Sequence, residues 1–165
     1  MDRLWAPWRL AYVTAVPAAS TECIFCDAGS RANAELVLFR GRSCFVILNL
    51  YPYNNGHLMV VPNRHISSLA GLTPDEQVEM MGLARLSEAA LTEAYHPQGI
   101  NVGINLGKAA GAGIENHLHA HLVPRWAGDT NFMTAIGGTR VLPEDLRQTA
   151  ARLRPIFERL AGQGA

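Results

Sequence analysis

The sequence predicts an α+β domain in which a mainly antiparallel sheet packs with one long helix and a C-terminal helix. Five short apolar runs favour strands, and they lie at 36–40, 43–48, 57–61, 100–106 and 117–123. One long helical pattern covers 73–95, and a second covers 143–162. The resulting order, β-β-β-α-β-β-α, is typical of an α+β domain with a mainly antiparallel sheet.

Composition indicates one domain without a broad charged surface. The 165 residues carry 14 basic and 14 acidic side chains, and 48% are hydrophobic. Residues 1–165 are therefore predicted as a single domain, with 1–30 as an N-terminal arm. Zero net charge disfavours proteins that bind nucleic acid or anionic membranes through bulk charge. The chain has no apolar run of about 18 residues and no apolar signal segment at its start, so we expect a cytoplasmic location.

Turn and capping residues limit the first elements. The Gly-Arg pair at 41–42 is the expected turn of a hairpin between the first two strands. Thr73 can cap the long helix, Pro74 suits its first position, and Glu76 completes a capping box. The Pro-Gln-Gly segment at 97–99 is expected to end this helix.

The C-terminal pattern predicts an amphipathic helix that begins near Pro143. Its apolar positions, spaced three and four apart, are Leu146, Ala150, Leu153, Phe157 and Leu160. Pro155 lies inside this pattern, so we expect it to kink or interrupt the helix.

Three of the six histidines alternate within five residues, at positions 117, 119 and 121. On a strand His117, His119 and His121 would share one face, while the apolar residues between them would enter the core. Such a row suits either attack by a neutral imidazole on phosphorus or ligation of a catalytic metal ion. At roughly 3.3 Å per residue the row spans about 13 Å, so it suits an extended phosphate chain better than one ion.

A glycine-rich segment at 105–113 precedes the histidine row. Asn105 offers a side-chain amide, and the small residues after it allow close approach to backbone N–H groups. The segment lies between two predicted strands, so it matches neither a P-loop nor a Rossmann fingerprint. Its place beside the row predicts phosphate binding.

The three cysteines do not form a disulfide framework, because their number is odd. Cys23 and Cys26 form a CxxC that can chelate one metal ion, act as a redox pair or be two unrelated thiols. Cys44 lies in an apolar run and is interpreted as a small buried hydrophobic residue.

The segment HLHAHLV at 117–123 resembles the signature of the histidine-triad (HIT) superfamily of nucleotidyl hydrolases and transferases. NLYPYNNGH at 49–57 is similar to that family's N-x-x-P-x-x-x-G-H segment, and the resemblance extends from CIFC at 23–26 to PRW at 124–126. The opening LWAPWR, the CxxC and the tail PRWAGDTNFM are most similar to the bacterial branch related to diadenosine tetraphosphate phosphorylases. The resemblance implies a HIT-like fold and a homodimer.

The resemblance also implies residue roles. His119 would attack the α-phosphorus and form a nucleotidyl-histidine, His121 would hydrogen-bond the phosphate, and His57 would lie near the same pocket. The residues assigned to nucleotide and phosphate contacts are Asn49 (on the ribose hydroxyls), Leu50, Asn105, Gly111, Ala112, Gly113 and Asn116. Many relatives carry Gln or Ser just before the triad, but residues 111–116 contain neither. Phosphate contacts would then come from backbone N–H groups and Asn116, which leaves water and inorganic phosphate both open as the acceptor.

Relatives that bind zinc use a CxxC and two histidines. Carried over to this chain, those ligands are Cys23, Cys26, His65 and His117, a closed set of the structural type. The ion would attach the N-terminal arm to the strand that carries His119.

The resemblance predicts an enzyme that cleaves dinucleoside polyphosphates, such as diadenosine tetraphosphate, or related nucleotide phosphate esters. Two alternatives are a metal-dependent hydrolase with catalytic metal on the histidine row and a non-catalytic nucleotide-binding module. The first is disfavoured because no acidic residue alternates into the row. The second is disfavoured because the three histidines and Asn105 are intact. The expected partners are a small nucleotide and a second copy of the chain, without nucleic acid or membrane.

Overall fold

A computed structural model describes residues 23–27, 34–129 and 144–163, and it confirms the α+β class. The strands are β1 (Val37–Arg40), β2 (Cys44–Leu48), β3 (Leu58–Pro62), β4 (Gly99–Ile104) and β5 (Ala120–Arg125). The helices are α1 (Ile24–Asp27), α2 (Pro74–Tyr95) and α3 (Leu146–Gly162), with single 3-10 turns at Ala34–Leu36, Leu69–Gly71 and Lys108–Ala110. Among these described helices, none combines the length and apolar character that a membrane crossing requires.

The five strands form one sheet in the order β1-β2-β3-β5-β4, and each neighbouring pair is antiparallel. β2 and β3 are buried along their whole length, whereas β4 lies at the edge and is largely exposed. Helix α2 packs on β2, β3 and β5, and α3 packs on β1 and on α2. The core therefore lies between the sheet and these two helices.

The histidine segment is not all strand, contrary to the prediction for 117–123. β5 begins at Ala120, so His117 and His119 precede the ladder. The physical reason is that the N–H of Leu118 donates to the carbonyl of Ile66, at 2.6 Å, which lies after β3 and outside the sheet. Leu118 and Ala120 enter the core as predicted, and the rings of His119 and His121 lie in contact, with centroids 4.8 Å apart.

Helix α2 begins with the predicted capping box. Thr73 Oγ1 accepts from the N–H of Glu76 at 3.3 Å, and Glu76 Oε2 accepts from the N–H of Thr73 at 2.8 Å. The guanidinium of Arg64 also donates to both oxygens of Glu76, at 2.7 and 2.6 Å. These bonds, the one with Arg64 first, lower the pKa of Glu76 to about 2. The segment after β3 is thereby attached to the start of α2.

Replacement of Glu76 by Gln is expected to reduce the loss of free energy of unfolding as the pH falls into the acid range. The ordinary carboxyl pKa is 4.5 and the folded one is about 2, so this contribution is complete above pH 4.5 and disappears as the pH falls toward 2. Urea unfolding between pH 2 and 7 measures it, with the exposed Glu88→Gln on the same helix as control. Equal pH slopes for the two variants would contradict the prediction.

Helix α3 is continuous through Pro155, so of the predicted kink or interruption the interruption is wrong and the kink stays a prediction. Pro155 and Ala151, whose carbonyl loses its usual donor, both lie on the exposed side of the helix, where water can replace that bond. On the opposite side Leu153 and Phe157 are completely buried. The helix begins at Leu146 with Asp145 as its N-cap, and the start expected near Pro143 lies outside the described residues.

Candidate active site

His119 is a buried, neutral imidazole whose tautomer is set by the backbone. Its Nδ1 lies 2.8 Å from the carbonyl oxygen of His117. A carbonyl only accepts, so Nδ1 carries the proton and Nε2 keeps its lone pair. Burial lowers the pKa of His119, and the bond to that carbonyl opposes the effect. The ring can therefore act as a nucleophile through Nε2 at neutral pH.

A second set of hydrogen bonds fixes the proton positions on His57 and His121. The N–H of Tyr53 donates to His57 Nδ1 at 3.0 Å, so the proton of His57 resides on Nε2. His57 Nε2 in turn lies 3.0 Å from His121 Nδ1 and donates to it. His121 consequently carries its proton on Nε2, as a donor suited to a phosphate oxygen. Burial, and secondarily the repulsion that a protonated His119 would exert, lowers the pKa of His121 to about 4, which keeps the ring neutral.

The approach of His57 to this relay depends on Gly56. Gly56 has φ +74°, and a Cβ there would lie 3.1 Å from the side chains of Leu91 and Tyr95 on α2. The absence of a side chain at Gly56 therefore allows the backbone to pack closely on α2. His57, the next residue, is almost completely buried.

Asn49 and Leu50 lie on the segment that leads to His57. The Asn49 side chain accepts from the N–H of Tyr51 at 3.0 Å, and its Nδ2 lies 3.3 Å from His57 Nδ1. Leu50 is half-exposed. The predicted nucleoside contacts therefore lie beside the histidine relay, on the carboxyl end of β2.

The segment before the histidines places Asn105 on the same cavity wall as His121. The N–H of Gly111 donates to the carbonyl of Lys108 at 2.9 Å, and the N–H of Ala112 donates to that of Gly107 at 3.3 Å. Either N–H would have to give up its present backbone hydrogen bond in order to contact a phosphate. Gly113 and Asn116, the other two residues assigned to phosphate, are exposed between this turn and β5.

Cys23, Cys26, His65 and His117 form one cluster, in which all potential donor atoms lie within 4.8 Å of one another. His117 Nδ1 is 3.2 Å from Cys23 Sγ and 3.6 Å from Cys26 Sγ, and Cys26 Sγ is 3.3 Å from His65 Nδ1. Donors bound to one tetrahedral zinc ion lie about 3.3–3.8 Å apart. The set therefore has nearly the spacing that a zinc ion requires.

The orientation of His117 also suits a ligand. Its Nε2 lies 2.9 Å from the carbonyl of Pro62, so the proton resides there and Nδ1 offers a lone pair to the cluster. Within the described residues the cluster takes only His117 from the histidine row and leaves His119 and His121 outside. The alternative in which the row itself holds a catalytic ion is thus disfavoured by geometry. Cys44 lies apart in the core, and burial raises the pKa of its thiol to about 12.

Two aromatic residues of the site were missed from the sequence. Phe25, between the two cysteines, contacts the rings of His117 and His119 with centroid distances of 5.3 and 5.1 Å. Tyr53 contacts the ring of His57 at 4.7 Å, and its own N–H starts the relay. Both lie within motifs recognised in the sequence, but at positions where those motifs specify no residue type.

The comparisons with known proteins identify the family of the chain. Residues 30–128 match the HIT domain family. An AP-4-A phosphorylase of Mycobacterium tuberculosis is 43% identical over 157 residues, which cover 90% of this chain and 80% of that protein. A bis(5'-adenosyl)-triphosphatase of Dictyostelium discoideum is 28% identical, with 74% of this chain and 85% of that protein covered.

Among solved structures, a Zn-bound histidine triad family protein from Mycobacterium smegmatis superposes with a TM-score of 0.70 at 26% identity. That match covers 88% of this chain and 99% of the other. The fold, the histidine geometry and the sequence matches lead to one conclusion. The chain belongs to the HIT domain family.

Proposed function

We propose that the protein cleaves dinucleoside polyphosphates, with diadenosine tetraphosphate as the representative substrate, through a nucleotidyl-His119 intermediate. The observation that carries the proposal is the bond from His119 Nδ1 to the carbonyl of His117, which leaves a neutral ring with its lone pair on Nε2. The names of the mycobacterial and Dictyostelium relatives support this substrate class.

In the first step Nε2 of His119 bonds to the α-phosphorus, and the bond from that phosphorus to the bridging oxygen breaks. The electron pair leaves with the polyphosphate nucleotide. The ring then shares a positive charge, which the carbonyl of His117 stabilises through the Nδ1 proton. His121, with its proton on Nε2, donates to a non-bridging oxygen as charge develops there.

In the second step an acceptor oxygen attacks the same phosphorus, and the bond to Nε2 breaks and restores neutral His119. We propose inorganic phosphate as the acceptor, supported by the phosphorylase name of the 43% identical relative. Diadenosine tetraphosphate and phosphate then yield ADP and ATP. With water the products are AMP and ATP.

Product analysis tests the proposal. The protein is incubated with diadenosine tetraphosphate with and without phosphate, and nucleotides are separated by ion-exchange chromatography. ADP that forms only with phosphate supports phosphorolysis, whereas AMP without phosphate would make water the acceptor. Binding without cleavage would favour the non-catalytic module.

Replacement of His57 by Leu is expected to lower kcat by about 10-fold to 100-fold, a range typical of groups that orient a functional imidazole. Leu removes the donor that holds the proton of His121 on Nε2. His57→Gln keeps a side-chain N–H in this region and should retain more activity than His57→Leu. Single-turnover rates on folded variants measure the difference, and equal rates for the two would contradict the relay.

We also propose a structural Zn²⁺ ion held by Cys23, Cys26, His65 and His117. The donor spacings and the zinc-bound relative from Mycobacterium smegmatis support it. When bound, the ion would supply a rigid crosslink between α1, the segment after β3 and the segment before β5. The segment before β5 contains His117, whose carbonyl orients His119.

A homodimer and a cytoplasmic location complete the proposal. β4 is an edge strand and largely exposed, and Val102 within it and Leu106 just after it are exposed apolar side chains. Pairing with a second copy of the chain would cover them. The three free cysteines fit a reducing compartment. Light scattering on the purified protein measures the mass of the assembly, and a monomer would contradict the dimer.

A further inference from the structure

A cavity of about 300 Å³ extends along β4 and β5 from His121 to Arg125. We propose that it is a subsite for the distal nucleoside of the substrate, the sugar and base of the leaving nucleotide. This inference rests on the proposed function, because only a substrate with a second nucleoside has such a group. His121 and Asn105 line both the cavity and the phosphate region. A polyphosphate bound to these two residues would therefore lead directly into the cavity.

The charge of the cavity wall suits a neutral polar group. Both oxygens of Asp129 accept from Arg125, from Nε at 2.6 Å and from Nη2 at 2.9 Å, so the guanidinium charge is compensated. Asn101 Oδ1 accepts from Arg125 Nη1 at 3.0 Å, and Asn54 Nδ2 donates to Asp129 at 2.9 Å. A carboxylate in the wall disfavours a phosphate group at this end. Amides and a compensated ion pair suit hydroxyls and the edge of a base.

The size of the cavity suits one nucleoside. Pockets for small molecules begin at about 300 Å³, so the space holds a group of that size and not a whole dinucleotide. Tyr53 forms an apolar and aromatic part of the wall next to His121, with 6.0 Å between the ring centroids. A ring can therefore offer stacking to a base while the amides meet the sugar.

The space exists because Gly103 pairs with His121 across the two strands. A Cβ on Gly103 would meet no atom within 4 Å, so the fold leaves open space at this position for the start of a side chain. Gly82 on α2 has the same open surroundings, and it does not line the cavity. Neither glycine has a left-handed backbone conformation. The two positions form a matched pair for a filling experiment.

The experiment compares Gly103→Leu and Gly82→Leu on two substrates, diadenosine tetraphosphate and adenosine 5'-tetraphosphate, which lacks the second nucleoside. Gly103→Leu should lower kcat/KM for the dinucleotide by about tenfold or more and leave that for the mononucleotide within a factor of about two. Gly82→Leu should change neither. Asn101→Ala, which removes an amide of the wall, provides a second variant with the same expected selectivity.

Each other outcome overturns the subsite. An equal loss on both substrates places the cavity at the reacting phosphate, and a higher KM for inorganic phosphate with both substrates makes it the acceptor site. No loss on either substrate shows that the cavity is unused. If the wild-type protein cleaves neither substrate, the proposed function is overturned, and the subsite with it.

Discussion

His119→Asn is expected to reduce turnover of diadenosine tetraphosphate by about a thousandfold or more, while nucleotide affinity changes little. Asn has no nucleophilic nitrogen lone pair, so the covalent step is lost. The ring of His119 is also in contact with Phe25 and His121, but these contacts do not require its basic nitrogen. Steady-state rates measure turnover, and calorimetric titration with a non-cleavable analogue measures affinity.

Two further observations make this test selective. Quenching of the wild-type enzyme in alkaline detergent, with substrate labelled in the α-phosphate, should trap label on the protein, because a phosphoramidate bond survives alkali and hydrolyses in acid. The variant should trap none. His96→Asn is the matched control, because His96 is exposed at the end of α2 with φ 46°, a conformation that Asn tolerates. Full turnover by His119→Asn would exclude covalent catalysis by this residue.

Cys26→Ser is expected to abolish stoichiometric zinc binding and to lower both stability and activity. Cys26 Sγ lies close to His65 and His117, and loss of a direct ligand should weaken zinc binding by at least about 100-fold, the upper range for outer-shell changes. Without the crosslink, the carbonyl of His117 no longer holds His119 in place. Elemental analysis should show a fall from about one zinc per chain, and thermal unfolding should shift to lower temperature.

Cys44→Ala is the control for this change, because Cys44 lies in the core and outside the cluster. It should keep the metal even if the small cavity in the core lowers stability. A chelator should lower the unfolding temperature of the wild-type protein and leave that of Cys26→Ser unchanged. If the chelator shifts both equally, the cluster does not hold the structural ion.

Most of the site was accessible from the sequence because its chemistry is concentrated in short motifs. The His-x-His-x-His spacing predicted which residues alternate, whereas the CxxC alone left a metal site and a redox pair both open. The resemblance supplied His65, which lies far from the cysteines along the chain. The fold brings it to them on the segment that follows β3. Capping of α2 could be predicted in detail, because the box of Thr73 and Glu76 is local.

The remaining features depend on contacts between distant segments. The start of β5 at Ala120 follows from the bond between Leu118 and Ile66, which no local pattern encodes. The continuity of α3 depends on which side of the helix Pro155 faces. The cavity beside His121 requires the register that places Gly103 opposite it.

The relay that ends at His121 starts from a main-chain amide, the N–H of Tyr53. A backbone N–H is a hydrogen-bond donor at every pH and with almost every side chain. Mutation at position 53 therefore does not reverse the direction of the hydrogen bonds in the relay. Only proline, which lacks the N–H, would release it and allow both rings to exchange their proton positions. Evolution can therefore vary the aromatic wall at this position for substrate choice without altering the acid–base arrangement of the site.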